Sequence, residues 1–321
     1  MQSSLITGLR SVELGVVDIA ASEAFYTGTW RLSVAARDGA AVYLRGTGAP
    51  HHLLSLHPRS STELLAVTFN ATSRGAVDTL AQRIADKGGR LQAPPAAITT
   101  PGGGYGFAFR DAEGRRFCIV SDDLRHTDAS AVRDTPERLA HVVLNSKDAD
   151  AAMHFFTEVL GFTLSDTTRM MHFIRCNSDH HNIAFAFAKE ATLNHIAFML
   201  PDWESVMTGG GRLRDAGYPI AWGVGRHGPG HNVFAYFIGP ENLVIEYTAE
   251  VQQVDASYVA GKPEDWKWLP GRLDQWGISE APSPRLKEAQ TQIHFAEEYT
   301  LIRCTAQRQH TQTWPCCSEN L

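Results

Sequence analysis

Residues 138–162 read RLAHVVLNSKDADAAMHFFTEVLGF, and residues 8–32, GLRSVELGVVDIAASEAFYTGTWRL, repeat their pattern 130 positions earlier. In the later copy LAHVVLN (139–145) reads as a strand. Asp148 then opens a helix whose apolar residues Ala152, Phe155, Phe156, Val159 and Leu160 recur at helical spacing. The correspondence continues down the chain. AVYLRG (41–46) matches MHFIRC (171–176), and HHLLSL (51–56) matches HHNIAF (180–185). LLAVTFNA (64–71) matches LNHIAFML (193–200), and VDTLAQRIADKGG (77–89) matches VMTGGGRLRDAGY (206–218). FAF (107–109) pairs with FAY (234–236), and RRFCIV (115–120) with NLVIE (242–246), which sets Val120 against Glu246 and Phe109 against Tyr236. Order and spacing held over so long a stretch mark a duplication.

Each copy reads as strand, helix and further strands, then the same again. In the second copy the strands are LAHVVLN, MHFIRC, HNIAFAF, NHIAFML, NVFAYFI and NLVIEYT. A helix opens at Pro201-Asp202 and ends at Gly217, and the last two strands flank Gly239-Pro240-Glu241-Asn242. The expected fold is α+β: two tandem modules, each a pair of βαβββ units, followed by a C-terminal extension. The chain is long enough for two domains, each with its own core. The expected boundaries are 1–125, 136–250 and 251–321, with a polar linker at roughly 123–137 that ends near Pro136. The extension carries Trp266, Trp268 and Trp276, then a helical stretch near 284–297, and its last residues are polar and frayed.

Composition narrows the function. No apolar run approaches the ~18 residues of a membrane span, and the N-terminus shows no basic and apolar leader pattern. A net charge of −6 without a Lys/Arg cluster argues against nucleic acid as the main partner. Five cysteines, an odd number with no CxxC, suggest neither a disulfide framework nor a zinc knuckle, so a cytoplasmic setting fits best.

Several of the 14 histidines fall inside strand-like segments. His141 and His195 share strand faces with Val143, and with Ala197 and Met199, and Glu246 lies in the closing strand. Two imidazoles and a carboxylate among apolar neighbours are costly to bury unless they share a ligand or a hydrogen-bond network. The first copy has Ser11, Ala66 and Val120 at the matching places, so the fold itself does not demand His, His and Glu. Two histidines and one carboxylate with open positions suit Fe(II) oxygen chemistry.

These residues resemble the type I extradiol ring-cleaving dioxygenases of the vicinal oxygen chelate superfamily, such as catechol 2,3-dioxygenase and 2,3-dihydroxybiphenyl 1,2-dioxygenase. The resemblance covers roughly residues 8–250. Its most specific part is the run from Arg226 through His227, His231, Tyr236 and Pro240 to Glu246, where His227, Tyr236 and Glu246 keep the family's spacing. His181, in HNIAF, stands 14 residues before His195, also as in the family. Gly239-Pro240-Glu241-Asn242 departs from the family's Asp-Pro-x-Gly and puts only the local turn in question.

The resemblance implies a metal-free first module and a catalytic second one. His141, His195 and Glu246 would be ligands of one divalent metal, Fe(II) or alternatively Mn(II). His181, His227 and Tyr236 would be catalytic groups beside it. His181 would supply a proton during O2 chemistry, while Tyr236 and His227 would bond the oxygens of a small aromatic diol. His180, Arg226 and His231 have no assigned role beyond lining the mouth or capping a loop. The implied reaction inserts both atoms of O2 into a catechol-type ring to give a muconic-semialdehyde-type product, in a homo-oligomer with neither membrane nor nucleic acid as partner. The alternatives are a glyoxalase-like isomerase or transferase, and a ligand-binding protein of the same fold. Phe173, Phe185, Phe187, Met199 and Trp222 read equally as an aromatic pocket or as core.

Overall fold

A computed structural model describes residues 4–87 and 89–297. Cys304, Cys316, Cys317 and the frayed end expected of the tail lie outside the described residues. The first copy runs β1 (Ile6–Val16), α1 (Ile19–Ala24), β2 (Ser33–Asp38), β3 (Ala41–Arg45) and β4 (Leu54–Pro58). It continues with β5 (Glu63–Ala71), α2 (Arg74–Asp86), β6 (Arg90–Leu91), β7 (Ala96–Ala97), β8 (Tyr105–Arg110) and β9 (Arg116–Ser121). The second copy has β10 (Arg138–Ser146), α3 (Ala149–Glu158), β11 (Thr163–Thr167), β12 (Met171–Arg175) and β13 (Ile183–Phe187). Then come β14 (Leu193–Met199), α4 (Trp203–Asp215), β15 (Trp222–Arg226), β16 (Val233–Ile238) and β17 (Val244–Ala249).

The main paths of the two sheets have the same order: β2-β3-β4-β1-β5-β9-β8-β6 and β11-β12-β13-β10-β14-β17-β16-β15. The chain is therefore two tandem modules of one topology and of α+β class, as the duplication predicts and as the resemblance to vicinal oxygen chelate proteins implies. Asp18, Ser73, Asp148 and Asp202 each begin a helix by accepting a hydrogen bond from the backbone N–H three residues on. No described helix is long and apolar enough to cross a membrane.

Three details differ from the sequence reading. Strands β11 (TLSDT) and β15 (WGVGR) carry no apolar alternation, because both are sheet edges and one holds two glycines. Residues 284–297 are not one helix. Only α5 (Pro284–Ala289) is helical, and β18 (His294–Phe295) pairs with β5. Backbone pairing decides here: Leu193 N–H donates to Ile293 O and Ala296 N–H to Leu64 O, so the segment bonds to both sheets.

The third concerns the core, whose main cluster runs through both modules instead of each module closing a core of its own. Trp30, just after the first helical segment, stacks on Tyr247 of the second module at 3.8 Å between centroids, and its carbonyl accepts the Tyr247 hydroxyl at 2.9 Å. In return Phe156 of α3 meets Phe69 and Phe117 of the first module edge-on. The Glu241 carboxylate reaches across to accept the Val17 and Asp18 N–H groups at 3.0 and 2.9 Å and bonds Thr62. The unusual turn is thus a tie between modules, with Glu241 and Asn242 both at positive φ.

Trp30→Ala should cost about 3–5 kcal/mol, the ordinary loss for a large buried aromatic. Urea unfolding should still show one transition reported alike by both modules, because each lends an aromatic to the other. Two separated transitions would contradict the shared core.

Candidate metal centre

The centre is built on one row across the second sheet. His141 on β10 lies opposite Ala197 on β14, Ala197 opposite Glu246 on β17, Glu246 opposite Tyr236 on β16, and Tyr236 opposite Trp222 on β15. His195 stands two residues from Ala197 and so shares its face. Side chains from this row converge. His141 Nε2 and His195 Nε2 are each 3.2 Å from Glu246 Oε2 and 3.3 Å from each other. All three side chains are buried, and they form a His-His-carboxylate group able to hold an ion.

The residues fit a divalent metal. An ion about 2.0–2.2 Å from each of three such donors separates them by close to the spacing seen here. Two imidazoles and one carboxylate on one side of an ion also leave further positions open. The surroundings hold the donors ready. Asn194 Oδ1 lies 2.8 Å from His195 Nδ1 and only accepts, so Nδ1 carries the proton and the Nε2 lone pair faces the cluster. Asn194 is itself held by Asn145 and Gln290. Asn232 donates to Thr248 Oγ1 at 2.7 Å and lies 3.4 Å from Glu246 Oε1. Burial alone would raise the Glu246 pKa, but His141 and His195 hold the carboxyl well below the usual range. Burial pulls His195 down, against the opposing pull of Glu246.

The other expected site residues gather at the same place. The Tyr236 hydroxyl is 3.4 Å from His195 Nε2 and 3.2 Å from His227 Nε2. Burial, then the charge of Glu246, raises the phenol pKa well above its ordinary value, so it stays protonated. Burial lowers His227 to about 4, so its ring is neutral near pH 7. The His181 ring lies 4.3 Å from that of His141 and is held well below the usual range, first by burial and then by its histidine neighbours. Gly230, at φ +79°, passes so close that a Cβ there would meet His181 Cε1 at 3.0 Å.

His180 turns away from the cluster, behind His181, to a buried Asp166. Arg226 caps the loop, bonding His231 O and Glu250 and packing on Trp276, while the His231 side chain is exposed. Of the five apolar residues considered for a pocket, Phe173 contacts His181 and Trp222 contacts both His227 and Tyr236. Phe185 packs on Phe156, Met199 clusters with Ala197 and Val251, and Phe187 is exposed.

The extension completes the loop. Gln275 donates from N to Arg226 O at 2.8 Å and from Nε2 to His227 O at 2.6 Å and to Gly228 O at 3.5 Å, and Trp268 lies against Gly228. Asn194, Asn232, Gly230, Asp166 and Gln275 carry no spacing signal in the sequence; only folding brings them to the site.

The first sheet shows what the matching row looks like without these groups. Ser11 lies opposite Thr68, Thr68 opposite Cys118, and Cys118 opposite Ala108. The counterpart of Glu246 is therefore Cys118, not Val120, and that of Tyr236 is Ala108, not Phe109. The closing hairpins have equal length, so the offset is 128 there, and the sequence match slipped. A one-residue slip exchanges sheet faces: Phe109 packs in the common core on Phe117 and Phe155, away from the row. Ser11 and Ala66 keep the assigned places, so this row offers no His-His-carboxylate set.

Residues 138–247 match the Glyoxalase/Bleomycin resistance protein/Dioxygenase superfamily. Metapyrocatechase 2 of Cupriavidus necator is 33% identical over 127 residues, 39% of this chain and 40% of that protein. Biphenyl-2,3-diol 1,2-dioxygenase of Metapseudomonas furukawaii is 33% identical over 131 residues, 38% of this chain and 43% of that protein. The match thus spans about two fifths of these curated relatives. Over nearly the whole chain, the Mn(II)-bound glyoxalase from Novosphingobium aromaticivorans is 36% identical, with a TM-score of 0.82, covering 88% of this chain and 94% of that one.

Proposed function

Because this chain belongs to the Glyoxalase/Bleomycin resistance protein/Dioxygenase superfamily, we propose that it is an extradiol dioxygenase, opening a catechol-type ring beside its two hydroxyls with both atoms of O2. The observation that carries the proposal is the triad of His141, His195 and Glu246 with Tyr236, His227 and His181 all around it. In this reading residues 136–250 are the catalytic module, 1–125 a metal-free scaffold, and 251–321 an extension whose Trp268 and Gln275 brace the His227 loop. The triad holds Fe(II), and the same donors accept Mn(II), the ion of the glyoxalase neighbour. Buried, unpaired thiols at Cys118 and Cys176 suit the reducing cytoplasm.

A divalent ion held by His141, His195 and Glu246 would supply the template and the electronic route that let an aromatic diol react with O2. The chain's own groups do the rest. Tyr236, kept protonated, donates its Oη hydrogen to a substrate oxygen as charge moves onto it. His227, neutral and stacked on Phe234 at 3.9 Å between centroids, steadies that phenol from the other side. His181 Nε2 takes and returns a proton on the O2 side, a task suited to imidazole. Phe173 and Trp222 offer flat apolar walls for an aromatic ring.

A second reading, a glyoxalase-like isomerase, is favoured by the name of the whole-length neighbour. The two differ in what they consume. Anaerobically purified protein loaded with Fe(II) should take up one O2 per catechol and produce a yellow semialdehyde with no external reductant. A muconic diacid product, or a requirement for NADH or 2-oxoglutarate, would remove the extradiol reading. Isomerisation of a thiol–ketoaldehyde adduct without O2 uptake would establish the second.

A further inference from the structure

We infer that Asp166 and His180 are positioning residues that set the ring orientation and tautomer of His181. The inference rests on the role proposed for His181, but its first test does not depend on turnover. Asp166 Oδ2 lies 2.7 Å from His180 Nε2, and both residues are wholly buried. The other carboxylate oxygen accepts the Gly261 N–H at 2.7 Å, and the Tyr258 hydroxyl reaches both oxygens at 3.3 Å. His180 Nδ1 in turn lies 3.1 Å from His181 Nδ1.

Donor and acceptor counting turns this chain of contacts into a direction. The carboxylate only accepts, so His180 carries its hydrogen on Nε2. A neutral ring then has an acceptor at Nδ1, and His181 must donate to it from its own Nδ1. That leaves Nε2 of His181 as a bare lone pair, on a ring 4.3 Å from His141. A protonated His180 would donate from both nitrogens and force the opposite tautomer, with the His181 hydrogen on Nε2. The logic is that of a carboxylate holding a catalytic imidazole in its working tautomer, here with one imidazole interposed.

The first module supplies the contrast. His51 and His52 form the same paired contact, Nδ1 to Nδ1 at 2.9 Å. Asp166 pairs with Phe173 across β11 and β12, and the register-matched residue on β2, opposite Tyr43, is Ala36. The paired histidines therefore belong to the fold, whereas the carboxylate behind them occurs in the module that carries the metal triad. His51 instead sits beside the Arg10 guanidinium, whose charge lowers its pKa after burial does. The extension contributes too, since Tyr258 and Gly261 fill the remaining contacts of Asp166.

The test is nitrogen NMR on the full-length chain labelled with 15N-histidine, with Zn(II) supplied as a diamagnetic ion, His181 being assigned by its loss in His181→Asn. In the unsubstituted protein His181 should show the Nδ1–H tautomer. Finding Nε2–H there overturns the inference at once, whatever the variants do. Asp166→Asn and His180→Gln, the second keeping a buried amide, should each shift His181 toward Nε2–H or a mixture and leave His52 unchanged. With Fe(II) loaded and metal content equal to that of the unsubstituted protein, kcat should fall on the order of 10²-fold or more while KM for a catechol changes little, as for a mispositioned imidazole. Asp166→Glu should recover part of the loss. A His181 tautomer unmoved by either variant refutes the inference. If the unsubstituted protein cleaves no catechol, the proposed function fails, and the tautomer result still decides the positioning claim.

Discussion

His195→Ala is expected to remove the metal and with it all ring cleavage. One of the three protein donors is lost, and the two that remain, His141 Nε2 and Glu246 Oε2, are only 3.2 Å apart, so they cannot spread to surround an ion. Losing even an outer partner of a metal ligand costs roughly 10–100-fold in affinity, and losing a ligand should exceed that. The readouts are metal content by elemental analysis and the thermal midpoint with and without added Fe(II) or Mn(II). An ion that binds the folded state at 100 times its Kd stabilises it by about 2.7 kcal/mol. The unsubstituted protein should therefore melt higher with metal, and His195→Ala should not respond. Full metal occupancy in the variant would refute the site. In the first module the place of His195 is already an alanine, Ala66, and Ser11→Ala, at the place of His141, should leave metal content unchanged, because the row through Ser11, Thr68 and Cys118 offers no equivalent donors.

The second large effect separates chemistry from metal binding. His181→Asn should keep the metal and still bind catechol, yet lose turnover by roughly 10²–10⁴-fold if proton handling on the O2 side is the main loss. That corresponds to about 3–5 kcal/mol in the barrier. Asparagine is preferred to a larger ring because Gly230 leaves no room at the His181 edge, and its amide can still meet His180 Nδ1. His52 is the control. It is buried, pairs with His51 and packs against Tyr43, in the module without a metal triad. His52→Asn should change stability but not turnover per folded molecule. Equal losses of turnover from both substitutions would make the paired histidines a device of the fold alone. Metal lost from His181→Asn only would make His181 a ligand and show the triad to be misread.

Much of this protein was legible before folding, for physical reasons that can be named. The duplication survives as hydrophobic period and spacing, because every copy must cover the same sheet with the same helices. The triad stands out because His141, His195 and Glu246 interrupt strand faces that are otherwise apolar, and burying such groups unpartnered is costly. The second sheet shows all three in one buried cluster. What could not be read follows a different logic. Edge strands such as β11 and β15 have little apolar pattern to show. The closing hairpin of the first copy was misaligned because few identities anchor it, and only the ladder pairs Cys118 with the row of Ser11. The shared core depends on Trp30 meeting Tyr247, 217 residues away, a contact with no local signature. The same holds for Asn194, Asn232 and Asp166: polar residues of ordinary appearance, whose roles arise only when the sheet curves and turns their side chains onto His195, Glu246 and His180. A sequence displays the groups that would be costly to bury alone; the tertiary structure decides which neighbours remove that cost and hold the groups in working orientation.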